Sequence, residues 1–428
     1  MKAWKLLSLA AVSAAIVAAG PSDSRACAVL TPDETAPVTG HQMILSISKD
    51  RTTLWDQFNY DTNNPDLKFA WILPTKGKVT VGLSSDALFD TLGQVTAPEI
   101  FAPNLCPNSC LGGGGGGDGK GSVDVISRDI LGPYEVVQLS SSDPQALKDW
   151  LAMNGYPIPV SVGPILDAYV NEGFDFLALK LAAGATPSSR PVRVTMEGAA
   201  PTVPIRLLAA GTGDVTQVTL WVLGEGRWDP SNAPVVTLKS SDLTWDFSTS
   251  KSDYSEVRAA KLAEQKGLAW LLEQATPRDP GDIEFPLQQL VMSNPDKSGY
   301  GDMNTTPDQE LAADLDALVG DFKAGVWVTR LSADLSREAL AKDLALGAGT
   351  QEVVSGSYTP GKTLHAPVCG PDPCAGEGGG GSGSSGGNGS SGGCSCRMAG
   401  DGASDASSIL GALGLAAMAA LRGRRRRR

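Results

Sequence analysis

Seven cysteines are the residues of this 428-residue sequence whose type and spacing most readily allow chemistry. Cys106 and Cys110 enclose three residues, and Cys369 and Cys374 enclose four, so each pair is close enough for a local disulfide that closes a turn. Zinc binding is the competing use of these thiols, but the prolines between them make a poor zinc site. We therefore predict two local disulfides in an oxidising compartment and no metal or other cofactor, with Cys27 left without an obvious partner.

The last two cysteines lie in a different setting, near the C-terminus. They belong to a four-residue motif made of Cys394, Ser395, Cys396 and Arg397. A Gly/Ser-rich stretch, residues 376–393, precedes the motif and is typical of a flexible linker. The apolar run at residues 409–421 follows it and is short for a membrane span. The chain ends on arginines that the positive-inside rule keeps in the cytoplasm, namely Arg422, Arg424, Arg425, Arg426, Arg427 and Arg428.

This order of motif, apolar run and basic cluster resembles the myxobacterial C-terminal sorting tail, MYXO-CTERM. The resemblance covers about the last 40 residues and implies a dedicated intramembrane sorting protease that cuts near the cysteines. It also implies transfer of the body to the outer surface, with a lipid anchor through a cysteine. A plain membrane anchor and a basic nucleic-acid-binding tail are the alternatives. The sequence thus predicts a transient membrane span and an anchored product on the outer membrane or cell surface.

The N-terminus has the three parts of a secretory signal. Lys2 and Lys5 form its basic region, and residues 6–19 form an apolar segment that is too short to span a membrane. Ser24 and Ala26 then place small residues at the −3 and −1 positions of a signal-peptidase site. Lipidation of the next residue, a cysteine, is the alternative, but the aliphatic residue that a lipobox requires is missing. We expect the chain to be exported.

Composition limits the classes of function. With 42% apolar and 19% charged residues the chain is ordinary for a globular protein, and its net charge of −12 disfavours nucleic acid as a partner. His41 and His365 are the only histidines, too few for a histidine-based triad or a three-histidine metal site. We interpret each of them as an ordinary surface or edge residue.

One stretch matches the P-loop pattern formally, with Gly356, Gly361, Lys362 and Thr363 at the required spacing. That chemistry needs a helix directly after the loop, whose amides hold phosphate. The following residues, 364–369, include a proline and cannot form such a helix. We predict a coincidental turn.

An acidic loop offers hard oxygen ligands of the kind that Ca²⁺ prefers. Its candidates are Asp296, Asp302, Asn304 and Asp308. Their spacing is not that of an EF-hand, and a solvated turn is the prediction. Outside the Gly/Ser-rich stretch at 376–393 no G-x-S-x-G pattern is present, and that stretch does not form the strand and helix of a nucleophile elbow, so nothing indicates a serine nucleophile.

Apolar periodicity predicts the elements that must position these residues. Strands are predicted at residues 41–48, 52–60, 68–73, 79–83, 123–127, 134–139, 174–181, 192–196, 205–209, 215–223 and 326–330. Helices are predicted at residues 85–92, from 144 to about 154, and at 162–172, 254–274, 307–318 and 337–345. The expected fold is α+β, with a β-rich body at residues 27–248, after the signal at 1–26, and a more helical part at 249–365. The linker at 376–393 and the tail at 394–428 follow.

Several segments of the body together resemble the bacterial domain-of-unknown-function family 2330. They read Phe-Ala-Trp-Ile-Leu-Pro at 69–74, Tyr-Glu-Val-Val at 134–137, Leu-Lys-Asp-Trp-Leu at 147–151, Asp-Ala-Tyr-Val at 167–170, Phe-Asp-Phe-Leu-Ala-Leu-Lys at 174–180 and Pro-Ile-Arg-Leu at 204–207. The resemblance covers about residues 27–330. It implies export and implies no activity or catalytic residue. It also implies a second cysteine near Cys27, which this sequence lacks.

The sequence therefore favours an exported, surface-anchored, non-enzymatic binding or structural module whose ligand it does not identify. Its expected partners are signal peptidase, the sorting protease and the membrane. An extracellular hydrolase that uses paired carboxylates is the alternative, since such chemistry needs no histidine. A cleft with two facing carboxylates would favour the enzyme, and an exposed apolar or aromatic patch would favour binding.

Overall fold

A computed structural model describes residues 29–30, 38–60, 70–105, 134–156, 158–181, 190–209, 215–295, 298–301 and 305–368. The chain divides into two units. The first contains Met1–Pro103 and Lys120–Pro367, and the second contains Asn104–Gly119 and Val368–Arg428. Every helix and strand within the described ranges belongs to the first unit.

The described strands are β1 (Val29–Leu30), β2 (Val38–Ile47), β3 (Arg51–Tyr60), β4 (Ala70–Thr75), β5 (Thr80–Leu83), β6 (Glu99–Ile100), β7 (Tyr134–Leu139), β8 (Asp175–Leu181), β9 (Val192–Glu197), β10 (Thr202–Val203), β11 (Val215–Gly224), β12 (Trp228–Pro230), β13 (Val235–Val236), β14 (Thr244–Asp246), β15 (Lys251–Ser252), β16 (Trp270–Arg278), β17 (Val326–Ser336), β18 (Leu344–Ala348), β19 (Ser357–Tyr358) and β20 (Lys362–Leu364). The described α-helices are α1 (Asp86–Val95), α2 (Pro144–Met153), α3 (Gly163–Asn171), α4 (Tyr254–Glu264), α5 (Gly281–Ser293) and α6 (Pro307–Val319).

The largest sheet has the strand order β13-β16-β17-β11-β2-β3-β9-β5. Its neighbouring strands are antiparallel except for the β11–β2 and β13–β16 pairs, which are parallel. A four-stranded sheet has the order β1-β4-β8-β7, and three small sheets have the orders β10-β18-β12, β15-β14-β20 and β19-β6.

Strand β2 shows how the largest sheet separates two cores. Met43, Leu45 and Ile47 belong to the sandwich core, a buried cluster that they share with side chains of the four-stranded sheet and of α2 and α3. Ile44 points to the opposite face and joins the helix-side core, which contains side chains of α1, α5 and α6. Because side chains alternate along a strand, one strand contributes to both cores.

Local sequence signals set the starts of three helices. The Ser85 side chain accepts a hydrogen bond from Ala87 N at the start of α1. Asp143 caps α2, whose first residue is a proline. Thr306 and Gln309 form a capping box at α6. Each arrangement satisfies backbone N–H groups that would otherwise lack partners, so the predicted helix starts at these places are confirmed.

The prediction of a single helix over residues 254–274 is wrong. Helix α4 ends at Glu264, and β16 begins at Trp270. Between them Lys266 and Gly267 have φ angles of 54° and 71°, which end the helix in the left-handed region. The near-continuous apolar residues of β16 fit a buried strand as well as a helix, so periodicity alone could not separate the two.

Two shorter predictions are also wrong. In place of the strand predicted at residues 205–209, a 3₁₀ turn forms at Arg206–Ala209. In place of the helix predicted at residues 337–345, a 3₁₀ turn forms at Ala339–Ala341 and β18 begins at Leu344. Arg206 and Asp343 join the two segments through an ion pair of 2.8 Å. A tertiary contact therefore determines the local structure there, where few residues carry the periodic signal.

The α+β prediction is confirmed as a mixed, strand-rich body. A more helical second part is not clearly shown, because α4, α5 and α6 follow residue 248 together with the long strands β16 and β17. The largest sheet takes strands from both sides of residue 248. None of the helices in the described ranges has the length and apolar character that a membrane span requires.

Candidate ligand-binding crevice

Most residues that the sequence singles out for chemistry lie outside the described ranges. They are Cys27, Cys106, Cys110, Asp296, Asp302, Asn304, Cys369, Cys374, Cys394, Ser395, Cys396, Arg397 and the arginines of residues 422–428. The apolar run at 409–421 and the linker at 376–393 lie outside them as well. These predictions therefore stay predictions.

The two histidines have different surroundings. His365 is exposed, as predicted, and its Nδ1 lies 2.8 Å from Asp246 Oδ1. The interpretation of His41 as a surface or edge residue is wrong, since it is 1% exposed on interior strand β2. Its Nε2 lies 2.6 Å from Asp56 Oδ1 on the neighbouring strand.

The P-loop-like stretch forms strands β19 and β20 with a turn between them. No helix follows β20 in the part of the chain that the structure describes. Lys362 Nζ donates to the Asp242 carbonyl oxygen at 3.3 Å. The stretch is therefore two short strands joined by a turn, and it lacks the following helix that a P-loop needs in the part of the chain that the structure describes.

A polar crevice of about 450 Å³ lies at the C-terminal end of α1, beside the last residues of β16. Its lining comes from the end of α1 and β6, from β16 and α5, and from the segment before β19. The lining residues are Gln94, Val95, Ala97, Glu99, Gln274, Thr276, Pro277, Arg278, Asp282, Ser355 and Ser357. Its volume is in the usual range for small-molecule sites.

A β-bulge at Glu273 explains why a central strand presents polar side chains to the crevice. Before the bulge, Trp270 and Leu272 belong to the sandwich core. The register with β17 shifts between Leu272 and Gln274, and after the shift Ala275 enters that core. Side chains alternate along a strand, so the extra residue moves the next polar positions to the outer face. Those positions are Gln274, Thr276 and Arg278, which all line the crevice.

Arg278 connects the crevice to helix α1. Its Nη2 donates to the Val95 carbonyl oxygen at 2.7 Å and to Gln274 Oε1 at 3.4 Å. Cations at a helix C-terminus stabilise its unpaired carbonyl groups. No carboxylate lies within ion-pair distance of the Arg278 guanidinium among the described residues.

Two residues of the crevice lining each carry a buried donor that has no hydrogen-bond partner among the described residues. They are Arg278 Nε and Thr276 Oγ1, both shielded from solvent. Leaving such groups unpaired costs free energy, about 1–3 kcal/mol for a buried polar group. A ligand that supplies acceptor atoms there would remove this cost.

The neighbouring carboxylate of Glu273 is, by contrast, engaged within the protein. Glu273 is 4% exposed and accepts from Arg330 Nε at 2.7 Å and from Ser332 Oγ at 2.8 Å. Burial, together with the Glu273 charge, raises the pKa of Tyr358 to about 12. This network fixes β16 against β17 and takes up the Glu273 carboxylate within the protein.

A second internal network holds α6 on the sheet. Asp314 is fully buried and accepts from Trp55 Nε1 at 3.0 Å, from Tyr300 OH at 2.9 Å and from Arg193 Nη1 at 2.5 Å. Arg193 crosses Gly82, where any added Cβ would lie 2.5 Å from the guanidinium. Burial raises the pKa of Tyr300 well above its ordinary value. The named partners of Asp314 all belong to the protein itself.

The family profile described as "Uncharacterized protein conserved in bacteria (DUF2330)" matches residues 21–319. The chain belongs to this family. The resemblance predicted for the body is thereby confirmed, over nearly the same residues. The crevice residues from Gln94 to Asp282 lie within the match, whereas Ser355 and Ser357 lie beyond it.

Two other comparisons add little. No curated protein sequence matches the chain. Among solved structures, the crystal structure of baculovirus P35 matches with a TM-score of 0.28 and 13% identity, and the alignment covers 46% of this chain and 67% of that chain. A likeness of this size supports no conclusion about fold or function.

Sequence reasoning missed every residue of the crevice except those in the P-loop-like stretch. The alternation of Gln274, Thr276 and Arg278 is a strand signal in the sequence, but the apolar pattern before it predicts a helix up to residue 274. The bulge that turns these residues outward depends on the pairing with β17. Nothing in the local sequence specifies that pairing.

Proposed function

We propose that this chain is an exported, surface-anchored binding protein that takes its ligand in the crevice beside β16. The observation that carries the proposal is that two residues of the crevice lining, Arg278 and Thr276, each have a buried side-chain donor, Nε and Oγ1, without a partner among the described residues. Elsewhere on the sheet, charged groups are neutralised internally, as at Glu273. Ligand acceptors are the natural partners for the two donors.

The two ends of the sequence support the location. The N-terminal signal directs export, and the order of cysteine motif, apolar run and arginines resembles the MYXO-CTERM tail. The body would then remain on the surface, held through Cys394 or Cys396 at the end of a flexible linker. Intact-mass measurement on protein from native membranes tests this part. We expect residues 1–26 and the terminal arginines to be missing, and a full-length chain would contradict it.

Isothermal titration of the mature protein tests the binding site. The probes are maltotetraose, trigalacturonate, inorganic phosphate and tetra-alanine, which represent neutral sugars, acidic sugars, small anions and peptides. We expect at least one probe to bind and Thr276→Val to weaken that binding. Thr216→Val is the matched control, because Thr216 Oγ1 is also buried without a partner but lies away from the crevice. If no probe binds, or if both variants behave alike, the binding proposal is wrong.

The alternative function, a hydrolase with paired carboxylates, has one observation in its favour. Glu99 and Asp282 both line the crevice. Hydrolysis would require one of them to act as an acid and the other as a base or nucleophile. Mass spectrometry of a bound oligosaccharide separates the two functions. A binding protein returns the oligosaccharide intact, whereas a hydrolase returns fragments. If the chain is a hydrolase, Glu99→Gln should abolish the formation of fragments.

A further inference from the structure

We infer that the ligand of the crevice is a neutral carbohydrate. The inference rests on the proposed binding function and adds the chemical class of the ligand. It follows from three features of the lining: its mixture of donors and acceptors, its charge balance and an exposed aromatic ring beside it.

The lining offers donor-only, acceptor-only and dual groups together. Arg278 can only donate hydrogen bonds, whereas the carboxylates of Glu99 and Asp282 can only accept them. The hydroxyls of Ser355 and Ser357 can do both. A sugar presents closely spaced hydroxyl groups, each a donor and an acceptor, and therefore matches such a lining without leaving groups unpaired.

The charge balance disfavours anionic ligands. The lining holds two carboxylates and a single guanidinium, so it repels an anion on balance. Neither Glu99 nor Asp282 has an ion-pair partner in the described part of the chain, so their charges are not offset. A simple cation would be attracted, but it supplies no acceptor atom for Arg278 Nε or Thr276 Oγ1. A neutral ligand with hydroxyl groups avoids the repulsion and supplies the acceptors.

Phe101 supplies an apolar surface beside the polar lining. The side chain of Ile100 packs against a small buried cluster, so its neighbours Glu99 and Phe101 point to the other side of the extended backbone. Phe101 N donates to the Tyr358 carbonyl oxygen at 2.8 Å, which extends the pairing of β6 with β19 and holds this orientation. The ring is 53% exposed. An aromatic face of this kind can stack on the C–H face of a sugar ring.

Titration of the mature protein with neutral oligosaccharides tests the inference. The set contains maltotetraose, cellotetraose and chitotetraose. We expect at least one of them to bind more tightly than trigalacturonate, phosphate or tetra-alanine. Thr276→Val and Arg278→Leu should each weaken that binding by about tenfold, since each removes a hydrogen bond. Phe101→Ala should weaken it by about fivefold through the loss of stacking.

Phe285→Ala is the matched control, because Phe285 is 63% exposed on α5 and does not line the crevice. It should leave the affinity unchanged. Phosphate, trigalacturonate or the peptide could instead bind most tightly, with that binding lost in Arg278→Leu. This result would support the binding function and overturn the carbohydrate inference. Equal loss in Phe101→Ala and Phe285→Ala would overturn the stacking argument and the inference with it. Failure of all probes would overturn both the inference and the proposed function.

Discussion

Arg278 donates from Nη2 to the Val95 carbonyl oxygen at 2.7 Å while its Nε stays buried without a partner. One side chain therefore both caps helix α1 and offers an unused donor at the crevice. Because one donor of Arg278 remains unused, the crevice is a better candidate for binding than the internal networks around Glu273 and Asp314. In those networks each named contact is made within the protein.

Removal of the two crevice donors should affect stability in opposite directions. Arg278→Leu should lower the free energy of unfolding by about 1 kcal/mol, because α1 loses a charged cap. Thr276→Val should leave it unchanged or raise it by up to about 1 kcal/mol, because an unsatisfied hydroxyl is replaced by a methyl group. Urea unfolding measures both values. A clear loss of stability in Thr276→Val would show that the hydroxyl has a structural partner.

The register that follows the bulge at Glu273 should be essential to the fold. Insertion of one alanine between Glu273 and Gln274 would turn Arg278 toward the sandwich core and expose Ala275, at a cost of several kcal/mol for an unpaired buried charge. Glu273→Gln keeps the register and should cost less, about 1–3 kcal/mol, from weakened contacts with Arg330. Soluble yield and urea midpoints compare the two variants. An insertion variant as stable as Glu273→Gln would rule out the register argument.

The break between α4 and β16 depends on Gly267. Its φ is +71°, and an added Cβ would lie 2.8 Å from Ser336 N. Gly77 has a similar φ of +72° with open space around it. We expect Gly77→Ala to lower the free energy of unfolding by about 1 kcal/mol and Gly267→Ala to lower it by at least twice that amount. Equal effects would mean that backbone strain alone acts at both sites.

Part of the acid sensitivity should come from Glu172. The side-chain hydrogen bonds from Arg206 hold the pKa of Glu172 below its ordinary value. Its folded-state pKa is thus lower than its unfolded one, so the stabilisation is present above the unfolded pKa, about 4.3, and is lost as the pH falls through the folded value.

The Glu172→Gln variant should therefore be less stable than the parent at about pH 7, and the difference should shrink at about pH 3.5. Urea unfolding at the two pH values measures it. A difference that grows on acidification would contradict the assignment. Glu338→Gln is a suitable control. In the described ranges Arg206 forms ion pairs with Glu172 and Asp343 and forms none with Glu338.

The sequence predicts the elements that have strong local signals. The β2–β3 hairpin and the capped starts of α1, α2 and α6 follow from alternation and from Ser85, Asp143 and Thr306. The sequence-based prediction is wrong where a contact between distant residues determines the local structure. An example is the turn containing Arg206, which pairs with Asp343. The crevice belongs to the second kind, since it assembles from α1, β6, β16, α5 and the segment before β19.

The Arg278 Nε–H signal in a ¹H–¹⁵N spectrum tests the central claim most directly. Arg278→Lys identifies the signal, and Arg206, whose Nε donates to Asp343 Oδ2 at 3.1 Å, serves as the reference. Addition of the tightest-binding oligosaccharide should shift the Arg278 signal and slow its exchange with water, while the Arg206 signal stays in place. An Arg278 signal that does not move at saturating ligand would contradict the claim that this donor binds the ligand.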